Sequence, residues 1–207
     1  MIISTEQTKN GKIKLFADDK YVSTLESAHW YSLGIYDGND IDGERLRGIL
    51  LENNQKRALQ KAMTFLAYRA HSEKELRAKL RQKDFDAEAC DYAIDRLTEM
   101  RLLDDEEYAR NLAESLIEKK GFSLNRVRME LREKGISSDI LENALESLDN
   151  DPETRIIELL ETKYARDCQT EKGRKKAFNA LLRLGYSHSE IRRAFSEAEL
   201  EDGDFDE

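Results

Sequence analysis

Nine basic residues fall on helical spacings, and the chemistry they suit is the neutralisation of anionic oxygen. Lys74, Arg77 and Arg81 stand at i, i+3 and i+7, one face of a helix. Arg128 and Arg132 reproduce the places of Arg77 and Arg81 further along, with Arg126 nearby, and Arg174, Lys175 and Lys176 form a third group ahead of Arg183. Such a series could follow nucleic-acid phosphates or the acidic surface of a protein polymer. It equally suits the solvated face of three surface helices, paired in part with Glu73, Glu75, Glu130 and Glu133. The residues alone leave both readings open.

Other chemistry has little to build on. The chain contains no Gly-rich phosphate loop, no G-x-S-x-G, no H-E-x-x-H and no cysteine-rich zinc pattern. Asp104-Asp105-Glu106-Glu107 complements the positive end of a helix, a simpler account than a two-metal nuclease site. His29, His71 and His188 are scattered; His71 and His188 flank helix N-caps, where a solvated polar residue is the expectation. Cys90 and Cys168 form no CxxC pair, and Cys90 occupies a slot filled elsewhere by Leu141 and Ile191, that of a small buried hydrophobe. No catalytic, metal-binding or cofactor-binding residue is assigned, and the expectation is a protein that is not an enzyme.

The elements that must position the basic residues are repeated. Three stretches, 75–98, 126–149 and 176–199, share one helix–turn–helix pattern, registering Leu80, Leu131 and Leu181. Gly135 and Gly185 sit where a helix ends in the left-handed conformation, with Asp84 as the tolerated substitute. The next residue is large and apolar (Phe85, Ile136, Tyr186) and is placed to fold back on Leu80, Leu131 or Leu181. It also precedes an N-cap (Asp86, Ser137, Ser187), so it can staple to Cys90, Leu141 or Ile191. A helix–turn–helix of this kind is a packing unit, since no repeat shows a helix rich in base-edge readers.

Helix starts complete the pattern. Ser72-x-x-Glu75 and Asp104-x-x-Glu107 read as capping boxes, and Asp151-Pro152 as an N-cap with proline at the first helical position. Three-helix repeats are expected at 55–103, 104–150 and 151–198, each closing over its own core and together forming an elongated, curved array. Residues 1–54 differ: Lys12–Phe16 and Lys20–Leu25 read as a β-hairpin around Asp18 and Asp19, followed by a short helix through Trp30 that ends at Gly34 and a helix capped by Asp42. Residues 199–207 read as an acidic, disordered tail. The fold class is therefore mainly α.

With 207 residues, 37% of them charged, and two cysteines, the composition favours long solvated helices in a reducing, cytoplasmic setting. No stretch approaches membrane-spanning length. The net charge of −9 is uneven: residues 55–103 carry 11 Lys/Arg against 8 Asp/Glu, while 104–151 carry 7 against 13. Nucleic-acid binding would have to be a local affair.

Taken together, Leu102-Leu-Asp-Asp-Glu-Glu-Tyr-Ala109, Arg69-x-x-Ser72-x-x-Glu75-Leu76-x-x-Lys79-Leu80 and Leu131-x-x-Lys134-Gly135-Ile136 resemble the RecX family, bacterial regulators of the RecA recombinase. The resemblance spans about residues 12–196. One departure is Arg101, where the family usually has glycine; another is the acidic balance of the second repeat and the tail. The resemblance implies a non-enzymatic modulator that binds the recombinase filament on single-stranded DNA, and a monomer is the expected state. It further implies inhibition of the filament's recombinase, ATPase and coprotease activities in DNA repair and the SOS response. On that view the nine basic residues meet DNA phosphates or acidic filament surface, and Asp105 and Glu106 meet basic filament surface. The alternative is a helical-repeat DNA-binding protein with no recombinase partner.

Overall fold

A computed structural model describes residues 1–146, 148 and 151–200 of the chain and divides it into two compact units. The first is Met1–His71 with Leu76–Leu103; the second is Ser72–Glu75 with Asp104 onward.

The first unit opens with an antiparallel sheet of β1 (Ile3–Gln7), β2 (Ile13–Ala17) and β3 (Lys20–Leu25) in that order. The β2–β3 turn is the acidic one expected. Asp18 and Asp19 sit at φ 47° and 59°, the left-handed pair that a tight hairpin demands and that Asp tolerates. Strand β1 was not expected. Of its residues only Ile3 is fully buried, so it lacks apolar alternation and is defined by its pairing, Ile3 opposite Ala17 through Gln7 opposite Ile13. Helix α1 (Ser27–Ser32) carries buried Trp30 and stops before Gly34, at φ 62°.

Helix α2 (Gly43–Tyr68) corrects the expected helix start near residue 55. Asp42 caps it, accepting from the Arg45 N–H at 2.7 Å, and it then runs 26 residues without a break. Its front half buries Leu46 and Ile49 beside Ile3, Leu15, Leu25 and Trp30; its back half buries Ala58 and Ala62 beside Leu76, Leu80, Ile94 and Leu97. Three residues of the polar run Glu52-Asn-Asn-Gln55 have partners. Glu52 pairs with Lys56 at 2.6 Å, and buried Asn53 donates to Ser23 Oγ and the Thr24 carbonyl. Asn54 donates to Asp86 Oδ2 at 2.7 Å. Helices α3 (Glu73–Arg81) and α4 (Ala87–Glu99) complete this bundle; the first residues of α3 belong to the second unit.

The second unit continues with α5 (Asp105–Lys120), α6 (Leu124–Glu133) and α7 (Ser138–Glu146). After these come α8 (Pro152–Glu161), a 3₁₀ turn at Asp167–Gln169, α9 (Glu171–Arg183) and α10 (His188–Glu197). Two cores serve it, one around Leu116, Val127, Leu131 and Leu141, the other around Ile156, Phe178, Leu181 and Phe195.

The repeated turn is built as its chemistry requires. Asp84, Gly135 and Gly185 adopt φ 64°, 84° and 95°. Phe85, Ile136 and Tyr186 donate their N–H groups back to the carbonyls of Leu80, Leu131 and Leu181 at 3.4, 3.1 and 3.3 Å, the Schellman bond. Those leucines, and Cys90, Leu141 and Ile191 beyond the turn, are fully buried. Arg101 ends α4 in the same way: it stands at φ 55°, and Leu102 N–H reaches the Leu97 carbonyl at 2.9 Å. A glycine station is thus filled by a residue with a side chain.

His71 is buried, not solvated as its place beside an N-cap suggests. It packs edge-on against Phe65, with ring centres 6.4 Å apart. The expected disorder of the acidic tail falls, from residue 201, outside the described residues, as do positions 149 and 150 at the joint before α8. Among the described residues no helix is long and apolar enough to cross a membrane, and no group of three or more His, Cys, Asp or Glu is placed to hold a metal ion.

Candidate basic interface

The basic residues singled out by spacing separate into those engaged within the fold and those left to solvent. Arg77 on α3 forms an ion pair with Asp91 on α4, and Arg128 on α6 makes two bonds to Glu142 on α7, at 3.3 and 3.1 Å. The two pairs occupy equivalent stations: each clamps the middle helix of a repeat to its third. The Arg128 guanidinium holds the Glu142 carboxyl below its ordinary range. Part of the apparent basic face is therefore internal stitching.

Lys74 reaches across Gly135 and donates to the Glu133 carbonyl at 3.1 Å, satisfying the last turn of α6. Arg126 lies over the Phe122 ring, 5.6 Å from its centre, and pairs with Glu130 at 2.8 Å. Arg174 is half-buried at the start of α9, and Lys176 pairs with Asp167 at 3.2 Å. Three of the nine remain: Arg81, Arg132 and Lys175 are exposed and, among the described residues, make no ion pair or side-chain hydrogen bond. Arg81 and Arg132 hold the same place in the last turns of α3 and α6. Arg77 and Arg81 belong to the first unit, the other seven to the second.

The acidic candidates also divide. Asp105 Oδ1 accepts the Glu73 N–H at 2.9 Å, covering an orphan donor at the start of α3, and burial raises its pKa above the ordinary carboxyl value. Glu106 is exposed in the first turn of α5. Glu75 is bound on both oxygens, by Lys134 Nζ at 2.7 Å and Tyr108 Oη at 3.2 Å.

One basic surface was not singled out from the sequence. In the first unit, Lys12, Arg57, Lys61 and Lys83 line a groove of about 520 Å³ with Tyr21 and Phe85. Tyr21 is 58% exposed, and Arg57 lies over the Phe85 ring, 5.9 Å from its centre. Glu26, paired with Lys12 at 2.5 Å, is the acid lining it. Cations beside an exposed tyrosine and a partly buried phenylalanine form the kind of surface on which an unpaired base can stack. Only Arg57 and Lys61, one helical turn apart, gave a local signal; the others arrive from a strand edge and a helix–helix turn.

Fold and surface together define a protein of three-helix units preceded by a small sheet. Residues 58–97 match the model of the first three-helix domain of RecX, and residues 104–145 that of the second. A regulatory protein RecX of Prosthecochloris aestuarii is 33% identical over 146 residues, covering 70% of this chain and 96% of that one. Those of Clostridium botulinum (26% over 201 residues, 95% and 94%) and Bacillus subtilis (27% over 202 residues, 96% and 76%) align along nearly all of this chain. The chain belongs to the RecX family of regulatory proteins. A crystal structure of a regulatory protein RecX superposes with a TM-score of 0.66 at 21% identity, covering 94% of this chain and 98% of the other. RecX from Lactobacillus salivarius gives 0.60 at 22%, covering 72% and 99%; both likenesses speak to the fold.

Proposed function

We propose that this protein is a non-enzymatic, cytoplasmic regulator that acts as a monomer on the RecA-type recombinase filament on single-stranded DNA, lowering its recombinase, ATPase and coprotease activities. The observation that carries the reading is recurrence. Arg81 and Arg132 stand at the same station of successive repeats, exposed and unpaired, while their neighbours Arg77 and Arg128 are held in the fold. A cation repeated in two successive modules, the third having Leu182 at that station, suits a partner that itself repeats, and shallow contacts in register distinguish polymer from monomer through avidity. Glu106 is the acidic counterpart offered to basic filament surface. The test adds purified protein to preformed filaments and follows ATP turnover and strand exchange. Inhibition at substoichiometric or stoichiometric amounts is expected, and unchanged rates at equimolar protein overturn the reading.

A second reading, a DNA-binding helical protein with no recombinase partner, is favoured by the groove carrying Tyr21, Arg57 and Lys61. Salt-dependent binding to bare single strands, unaltered by added recombinase, would select it.

A further inference from the structure

The second unit contains a cavity of about 170 Å³ on which the first turns of three helices converge. Ser123, Leu124 and Asn125 bring the start of α6, Asp151 and Pro152 that of α8, and Glu190 that of α10. Each helix start carries partial positive charge and, in its first turn, N–H groups without helical partners. Arg128 and Arg155 add two guanidinium groups to the wall.

Two residues that line it carry buried donors without acceptors among the described residues: the Tyr186 hydroxyl and Arg155 Nε. Tyr186 is 4% exposed. Its role in the turn needs only apolar bulk, since Phe85 and Ile136 fill the equivalent places, so its hydroxyl is surplus to packing. A buried hydroxyl with no acceptor costs stability, and one retained here points to an acceptor that enters from outside. Burial pushes the Tyr186 pKa up to about 12, with Arg155 opposing, so the group keeps its proton and remains a donor. The other guanidinium nitrogens of Arg155 are engaged, with Glu158 at 3.0 Å and the Ile117 carbonyl at 3.0 Å. The two carboxylates in the wall are already satisfied from within. Asp151 accepts from Glu153 N–H and the Thr154 hydroxyl, and Glu190 Oε2 accepts from Ser187 N–H at 2.7 Å and Ser187 Oγ at 2.8 Å.

We propose that this cavity binds one phosphate-sized oxyanion, with the Tyr186 hydroxyl and Arg155 Nε–H as its buried donors and the positive end of α6 beside it. The group is either free phosphate or a phosphodiester of a nucleic-acid strand; the chemistry of the wall is the same for both. The site goes beyond the regulatory reading and does not depend on a recombinase.

Calorimetric titration of the full chain with inorganic phosphate, at ionic strength held constant with chloride, tests it. Saturable one-to-one binding is expected, weakened about tenfold in Tyr186→Phe by loss of one hydrogen bond to a charged group. Phenylalanine is the residue of the first repeat at this station, so the variant keeps the turn. Arg155→Lys, which keeps the charge but loses the Nε–H, is expected to weaken phosphate likewise and serves where the first variant unfolds. Displacement of bound phosphate by a single-stranded oligonucleotide assigns the site to phosphodiester, and its absence to free phosphate. No saturable heat with the unaltered protein, or equal affinity in folded Tyr186→Phe and Arg155→Lys, overturns the proposal.

Discussion

Ser72 Oγ donates to the main-chain carbonyl of Lys134 at 2.6 Å, joining residues 62 positions apart. Ser123 repeats the relationship with its N–H, which donates to the Leu184 carbonyl at 3.0 Å. Each serine also caps its own helix, accepting from Glu75 N–H or Arg126 N–H. A helix start is thereby seated against the carbonyl just before a left-handed glycine, and the glycine has a neighbour as well as a conformation to satisfy. A Cβ at Gly135 would lie 2.6 Å from Lys74 Cβ; one at Gly185 would lie 2.7 Å from Ser123 Oγ and 2.7 Å from Arg126 Cβ.

Gly185→Ala is therefore expected to destabilise by about 2–4 kcal/mol, combining left-handed strain with overpacking. Urea unfolding followed by circular dichroism measures it, and a loss below about 1 kcal/mol would show that Arg126 gives way freely.

Arg101 holds φ 55° at a helix end, where a side chain is strained and glycine is not. Arg101→Gly should raise stability by about 0.5–1 kcal/mol, the strain relieved being offset in part by the freer unfolded chain. An unchanged or lowered denaturation midpoint contradicts this.

Asp105 has a folded pKa above its ordinary value, chiefly because it is buried. The folded state thus holds this proton more tightly, a contribution that favours folding at low pH and disappears as pH rises through the folded pKa. Asp105→Asn keeps an acceptor for the Glu73 N–H without a buried charge. At pH 7 it is expected to match or exceed the parent in thermal stability, whereas Asp105→Ala should lose about 1–2 kcal/mol by orphaning that donor. Equal losses in both variants would assign the carboxylate charge a stabilising role.

His29 behaves oppositely. Burial, reinforced by Lys56 Nζ at 2.9 Å from Nδ1, lowers its pKa, so the unfolded chain takes up the proton first. Stability from this group is intact above the unfolded value near 6.5 and falls as pH drops through it. His29→Gln should flatten the pH dependence of the melting temperature between pH 7 and 5; a slope equal to that of the parent argues against the assignment.

Arg81→Glu with Arg132→Glu is expected to weaken filament association about tenfold while leaving the melting temperature unchanged. Arg77→Glu with Arg128→Glu should instead lower stability, because each new carboxylate would face Asp91 or Glu142. The reverse pattern, binding lost only with the second pair, would move the interface to the clamped residues.

Legibility followed the range of the interaction. The turns at Asp84, Gly135 and Gly185 were readable because one residue fixes a left-handed φ and the next must be apolar, a rule confined to a few positions. Strand β1 was hidden because its reason for existing is a partner ten residues away. The continuity of α2 was hidden because Asn53 and Asn54 are polar for the sake of Ser23, Thr24 and Asp86, which no local pattern reveals. The basic residues show the limit most plainly. Arg77, Arg81, Arg128 and Arg132 share one spacing, and only the positions of Asp91 and Glu142 separate stitching from free surface.

Helix α2 carries a mechanical consequence. A single rod, about 39 Å long at 1.5 Å per residue, floors two separate cores. Fraying at one end withdraws hydrogen-bonded backbone from the other, so the sheet and the bundle built on α3 and α4 should melt in one cooperative step. A protease nick near Asn54 would turn that single transition into two.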